Sequence, residues 1–278
     1  MSCAQAPLHY QCHAENEKII SNFREVQWLT KMLSKARIKY IKSLQVKKYR
    51  QSEQRFVVEG AKSVLELLGS DFVTHTVIGT QEFIDSYQPI LSGYAGEIVE
   101  VKGSVLSDLG EFRTNDSALA IAQMKPNISL HVNPDEFALM LDDLRDPGNL
   151  GTIIRVADWY GISKVIASPD TTELYNPKVL HASMGSFTRV AVYYTELTNY
   201  LQVAAVPILG TFLDGENVHT MDRGKGGIII IGNEARGISE RVEKLVTRRV
   251  TIPRFGQAES LNAAVATAII CDNLRRGK

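Results

Sequence analysis

The chain has 278 residues, 44% hydrophobic and 22% charged, with 31 Lys/Arg balanced by 31 Asp/Glu. This is the composition of a globular protein with room for two modest domains. No apolar run approaches the roughly 20 residues a membrane helix needs. Cys3, Cys12 and Cys271 are too few and too scattered for a disulfide framework or a zinc site, which points to a reducing, cytoplasmic setting.

Residues 1–27 lack the long apolar core of a secretory signal and contain no arginine before Arg24, so they read as a flexible leader with a short helix from about Ala14. From Lys31 to Arg55 the chain turns basic, with nine Lys/Arg against the single acid Glu53. Leu33, Ile38, Ile41 and Leu44 interleave at roughly helical spacing, so one face packs while the other carries charge. A phosphate backbone meets such a face favourably, with salt-sensitive affinity. Lys39, Lys42, Lys47, Lys48 and Arg50 are the candidate RNA contacts; the plainer alternative is a solvated helix face.

Residues 28–125 close with a small α/β unit. Its expected strands are 56–60, 73–78, 97–101 and 118–123, with helices at 61–68, 81–87 and 104–112. Turn formers mark a linker at 126–134. A second unit, 135–278, alternates strands (137–141, 164–167, 190–194, 208–212, 228–231, 250–252) with helices (151–160, 178–183, 196–203, 240–246, 262–275). Near-continuous apolar strands alternating with helices indicate a mostly parallel sheet with helices on both faces.

Three polar turns in this second unit each follow an apolar strand and precede a helix, the place where catalytic loops sit in α/β proteins. They are Asp142-Asp143-Leu144-Arg145-Asp146-Pro147-Gly148-Asn149-Leu150-Gly151, running on to Arg155; Gly232-Asn233-Glu234-Ala235-Arg236-Gly237; and Ile252-Pro253-Arg254-Phe255-Gly256-Gln257-Ala258-Glu259-Ser260-Leu261-Asn262. Each alone is an ordinary loop-to-helix junction. Ser260 and Asn262 sit where N-cap residues belong. Gly148 and Gly151 read as residues that let the backbone turn tightly. The six histidines show no paired ligand spacing, so no metal is expected. No Gly-x-Gly-x-x-Gly fingerprint is present.

Together, in this order and at these separations, the three turns resemble the motifs of the SpoU (TrmH-type) branch of the SPOUT RNA methyltransferases. The resemblance runs from about Phe137 to the C-terminus. The basic stretch and 56–60 resemble, more loosely, the N-terminal substrate-binding domain of many such enzymes. The resemblance implies a deep C-terminal trefoil knot, a homodimer, and S-adenosylmethionine-dependent 2′-O-ribose methylation of RNA, with ribosomal RNA favoured by the two-domain layout. Arg155 would act on the 2′-hydroxyl. An arginine is poorly suited to be a base, because its pKa lies above about 12, and better suited to stabilise a forming alkoxide. Asn149, Glu234, Ser260 and Asn262 would complete the catalytic set. Gly232, Ile252 and Leu261 match positions that surround the adenine and ribose of the donor. Motif 2 often carries Gly where this chain has Ala235, and Arg254 replaces an uncharged residue. The alternatives are a tRNA 2′-O-methyltransferase and a non-catalytic RNA-binding protein of the same fold.

Overall fold

The computed structural model describes residues 33–276; the expected leader and Lys31 lie outside the described residues. The first half runs α1 (Lys35–Ser43), α2 (Lys47–Glu53), β1 (Arg55–Glu59), α3 (Ala61–Leu68), β2 (Thr74–Gly79), α4 (Gln81–Ser86), α5 (Gln88–Leu91), β3 (Glu97–Glu100), α6 (Gly103–Leu109) and β4 (Ala118–Gln123). Its sheet has the order β1-β4-β2-β3, with β2 and β3 parallel and the other pairs antiparallel.

The second half runs β5 (Phe137–Leu141), α7 (Pro147–Trp159), β6 (Lys164–Ala167), α8 (Pro177–Ser183), β7 (Ala191–Tyr194), α9 (Leu197–Gln202), β8 (Ile208–Asn217), β9 (Gly227–Ile231), α10 (Glu240–Glu243), β10 (Arg248–Thr251) and α11 (Ala263–Arg275). These six strands form an all-parallel sheet in the order β10-β8-β9-β5-β6-β7. The central strands β5 (FALML) and β9 (GIIII) are buried along their whole length, as strands covered on both faces must be. Strand β8 runs to Asn217 rather than 212, because its pairing with β10 shifts register between Arg249 and Val250 and then continues.

The basic segment folds as two helices. Leu44 and Gln45 end α1, and their carbonyls accept hydrogen bonds from Arg50 Nη1 at 2.9 and 2.7 Å. These bonds satisfy acceptors that a helix end leaves without intrahelical partners. Arg50 Nε also donates to Glu173 Oε1 at 2.8 Å, and Arg50 is only 2% exposed. Arg50 is therefore a buried structural tie and not an RNA-facing cation, which corrects the expectation from charge patterning. Lys39, Lys42, Lys47 and Lys48 are exposed, while Ile41 and Leu44 are fully buried.

The two sheets share a core. Phe56 and Phe72 from the first half pack against Tyr175 and Phe187 from the second, with ring centroids 4.5 to 6.1 Å apart. Arg189 bridges Glu66 on α3 and Asp158 on α7. The opposite face of the first sheet has its own cluster around Ile41, Val57, Ile78 and Leu106. Among the described residues no helix is long and apolar enough to cross a membrane.

Candidate active site

Because the sheet is parallel, the loops after β5, β9 and β10 emerge at one end of it. Helix α7 starts at Pro147, four residues before the expected position. Asp146 caps it, accepting from Asn149 N at 2.7 Å, and the proline sits at the first helical position, where its missing N–H costs nothing. This cap puts Asn149 in the first turn, 9% exposed and facing inward.

Asn149 joins the three loops. Its Nδ2 donates to Glu234 Oε1 at 3.0 Å, and its Oδ1 accepts from Asn262 Nδ2 at 2.8 Å. Asn262 is at the same time the N-cap of α11, with Oδ1 accepting from Ala264 N (2.9 Å) and Val265 N (3.3 Å). One asparagine thus fixes the start of the last helix with its oxygen and reaches the β5 loop with its nitrogen. For Glu234, burial opposes ionisation, but the Asn149 amide and the backbone N–H groups of Glu234, Asp146 and Arg145 outweigh it. Its carboxyl lies below the ordinary carboxylate range and is charged at neutral pH.

The turn carrying Glu234 is internally braced. Asn233 and Gly237 exchange backbone bonds of 2.9 Å in both directions, and Asn233 Oδ1 accepts from Ala235 N and Arg236 N. The left-handed position is Gly237 (φ +70°), so Ala235 needs no glycine-like conformation. A Cβ on Gly232 would lie 2.2 Å from Gly237 C, so the main chain at the end of β9 must stay bare.

Gly151 has a different task from the one expected. It lies inside α7, where a Cβ would fall 2.5 Å from Val179 O and 2.6 Å from Ala182 Cβ of α8. It permits close helix packing and makes no turn. The small residues of α11 likewise serve the chain's own core: α11 packs on α7, with Ala263, Ala264 and Thr267 buried.

The remaining expected residues are not bonded into this network. Arg155 is exposed on α7, and among the described residues no hydrogen bond or ion pair holds it. The motif 1 aspartates do not claim it; Asp143 instead binds Arg145 and Arg236. Ser260 is exposed and caps nothing, since Asn262 alone is the N-cap. Ile252 is half-buried against the core and Leu261 is 49% exposed, both on the loop after β10. Single-sequence reasoning missed Asp143, a non-glycine residue at φ +57°, whose carbonyl accepts from Asn233 Nδ2 at 2.7 Å. Two adjacent aspartates before the turn were its only trace. Among the described residues no group of His, Cys, Asp and Glu is placed to hold a metal ion.

Comparison with known proteins settles the family. Residues 136–272 match the SpoU rRNA Methylase family, and residues 35–120 match the MRM3-like substrate binding domain. Over 243 residues the chain is 30% identical to the 23S rRNA (guanosine(2553)-2′-O)-methyltransferase RlmP of Bacillus subtilis, covering 86% of this chain and 96% of that one. The chain belongs to the SpoU family. It is also 29% identical to the 23S rRNA (uridine(2479)-2′-O)-methyltransferase of Streptomyces viridochromogenes, over 80% of this chain and 83% of that protein. Among solved structures, an AdoMet-bound rRNA methyltransferase from Sinorhizobium meliloti superposes with a TM-score of 0.79 at 28% identity, covering 90% of this chain and 97% of that one. The relationship therefore spans both halves of the SpoU chain.

Proposed function

We propose that this protein methylates a ribose 2′-hydroxyl of ribosomal RNA, with S-adenosylmethionine as donor, as a cytoplasmic homodimer with a knotted C-terminal half. The bridge from Glu234 through Asn149 to Asn262 carries the reading, because it gathers the three family motifs into one bonded unit. The Bacillus subtilis and Streptomyces viridochromogenes relatives act on 23S rRNA, and the match to a substrate-binding domain at 35–120 supports an RNA of the same class.

The donor would lie where β9 and β10 end on either side of β8. The bare main chain at Gly232 and the aliphatic side chains of Ile252 and Leu261 suit an adenine and ribose held by backbone amides and apolar contact. Bound there, S-adenosylmethionine supplies a sulfonium methyl group, whose C–S electron pair returns to sulfur as the 2′-oxygen takes the carbon. Arg155 is exposed, and a guanidinium is a donor of hydrogen bonds with no acceptor, so it does not serve as the base. Its role is to hold the ribose and stabilise charge building on the 2′-oxygen, while the hydroxyl proton leaves to water. Charged Glu234 orients Asn149, and Ser260 on its exposed loop faces the nucleotide.

The strand order supports the knot: after β10, at the sheet edge, the chain returns to pack α11 on α7. The dimer reading rests on exposed apolar side chains of the paired helices α7 and α11: Trp159 is 83% and Val265 49% exposed. Trp159 is the larger of the two and the better candidate for a contact between copies, and Trp159→Glu should yield monomers in sedimentation.

Calorimetric titration with S-adenosylmethionine tests the reading, followed by mapping of ribose methylation on unmodified 23S rRNA transcript. Saturable binding near one donor per chain, and a methylated ribose, are the expected results. No binding at millimolar donor, with and without RNA, would leave a non-catalytic RNA-binding protein.

A further inference from the structure

Beside the Asn149–Glu234 pair lies a cleft of about 270 Å³, between the loops that follow β5, β6 and β9. Arg145 and Arg236 stand on its rim and converge on one carboxylate. Arg145 Nε donates to Asp143 Oδ1 at 2.8 Å, and an Arg236 Nη donates to Asp143 Oδ2. Asp143 is itself pinned: its N–H donates to Ser168 Oγ at 2.9 Å and its carbonyl accepts from Asn233 Nδ2. Holding a non-glycine residue at φ +57° costs free energy, so the surrounding bonds must fix it there.

Each guanidinium has five N–H donors. Among the described residues, Asp143 is the one carboxylate to which either side chain donates. The two side chains remain 64% and 66% exposed and share this one carboxylate, so most of their N–H donors stay open to a ligand. Neighbouring Asp142 is already committed, accepting from Ser239 N at 2.7 Å. Ser239 Oγ, shielded from solvent on the cleft wall, has no partner among the described residues and is open to an acceptor. Asp142, Asp170 and Glu196 line the cleft as well and repel an anion, and Arg241 offsets them in part, so an anionic ligand sits against the arginines. Paired planar guanidiniums recognise a phosphate by parallel, charge-assisted hydrogen bonds.

We propose that Asp143 sets Arg145 and Arg236 as a clamp for one backbone phosphate of the RNA, next to the nucleotide presented to Asn149 and Glu234. This rests on the RNA methyltransferase reading and adds to it a phosphate subsite in the catalytic half, separate from the lysines of α1 and α2.

The test is the affinity of purified full-length protein for unmodified 23S rRNA transcript across a salt series, with circular dichroism to confirm folding. Arg145→Gln and Arg236→Gln should each reduce the slope of log affinity against log salt by about one. Calorimetric binding of S-adenosylmethionine should stay at the wild-type value. Arg248→Gln removes the same charge at the opposite end of the sheet, at the start of β10, and should leave the slope unchanged. A wild-type slope in both clamp variants, or an equal loss in Arg248→Gln, overturns the clamp; wild-type donor binding and methylation would then leave the enzymatic reading intact. Wild-type protein that neither binds donor nor methylates would sink the enzymatic reading, and the slopes would still decide the clamp.

Discussion

Asn262 donates its side-chain amide to Asn149 Oδ1 at 2.8 Å while its own oxygen caps α11, so helix nucleation and site assembly use a single side chain. The two roles can be separated. Asn262→Ala loses both and should cost about 1 kcal/mol of stability, the usual worth of an N-cap. Asn262→Ser keeps a good cap but cannot reach Asn149. We expect near wild-type denaturation midpoints with methylation strongly reduced; a fully active Asn262→Ser enzyme would show that the bridge is dispensable.

Arg155 should behave in the opposite way. It is exposed and unbonded among the described residues, so Arg155→Ala should leave stability within about 0.5 kcal/mol of wild type. Methyl transfer should be abolished while calorimetric donor binding persists. Methylation at the wild-type rate would remove Arg155 from the chemistry.

Gly151→Ala should be costly although alanine favours helices. The added methyl would meet the Val179 carbonyl and the Ala182 Cβ, so α7 and α8 must separate. Overpacking of this kind costs about 1–3 kcal/mol. A denaturation midpoint equal to wild type would show that the two helices separate without penalty.

Arg50 and the lysines make a contrasting pair. Arg50→Ala strands Glu173 and uncaps α1, and should destabilise by about 3–5 kcal/mol with little change in the salt slope of RNA binding. Replacing Lys39, Lys42, Lys47 and Lys48 together should do the reverse, flattening the slope at unchanged stability. Exchange of these two outcomes would mean that Arg50, and not the lysines, meets RNA.

Acid should weaken the bridge. The Glu234 carboxyl sits below its ordinary value in the folded protein, so its contribution is fully present above the unfolded carboxylate pKa of about 4.3. That contribution is lost as pH falls through the lower folded value. Glu234→Gln should remove this part of the acid dependence; identical acid denaturation profiles for variant and wild type would show that Glu234 gains nothing on folding.

The sequence by itself determined the local features. Whole apolar runs marked β5 and β9, and Asn262 was a visible cap. Strand 118–123 and helix 61–68 have the bounds that periodicity gives. These signals are short-range, held in the spacing of neighbouring side chains and in the free N–H groups of a helix start. Periodicity alone did not reveal what the three turns do; that came from their resemblance to a family. Tertiary structure decided which distant groups meet. The bonds from Asn149 to Glu234 and Asn262 span 85 and 113 residues and exist only because a parallel sheet delivers its loops to one end. Arg50 belongs to a basic run yet is buried, because a carboxylate 123 residues away and two carbonyls at the end of α1 compete successfully with water. Gly151 looks like a turn residue and is a packing residue, because the surface it must approach belongs to another helix.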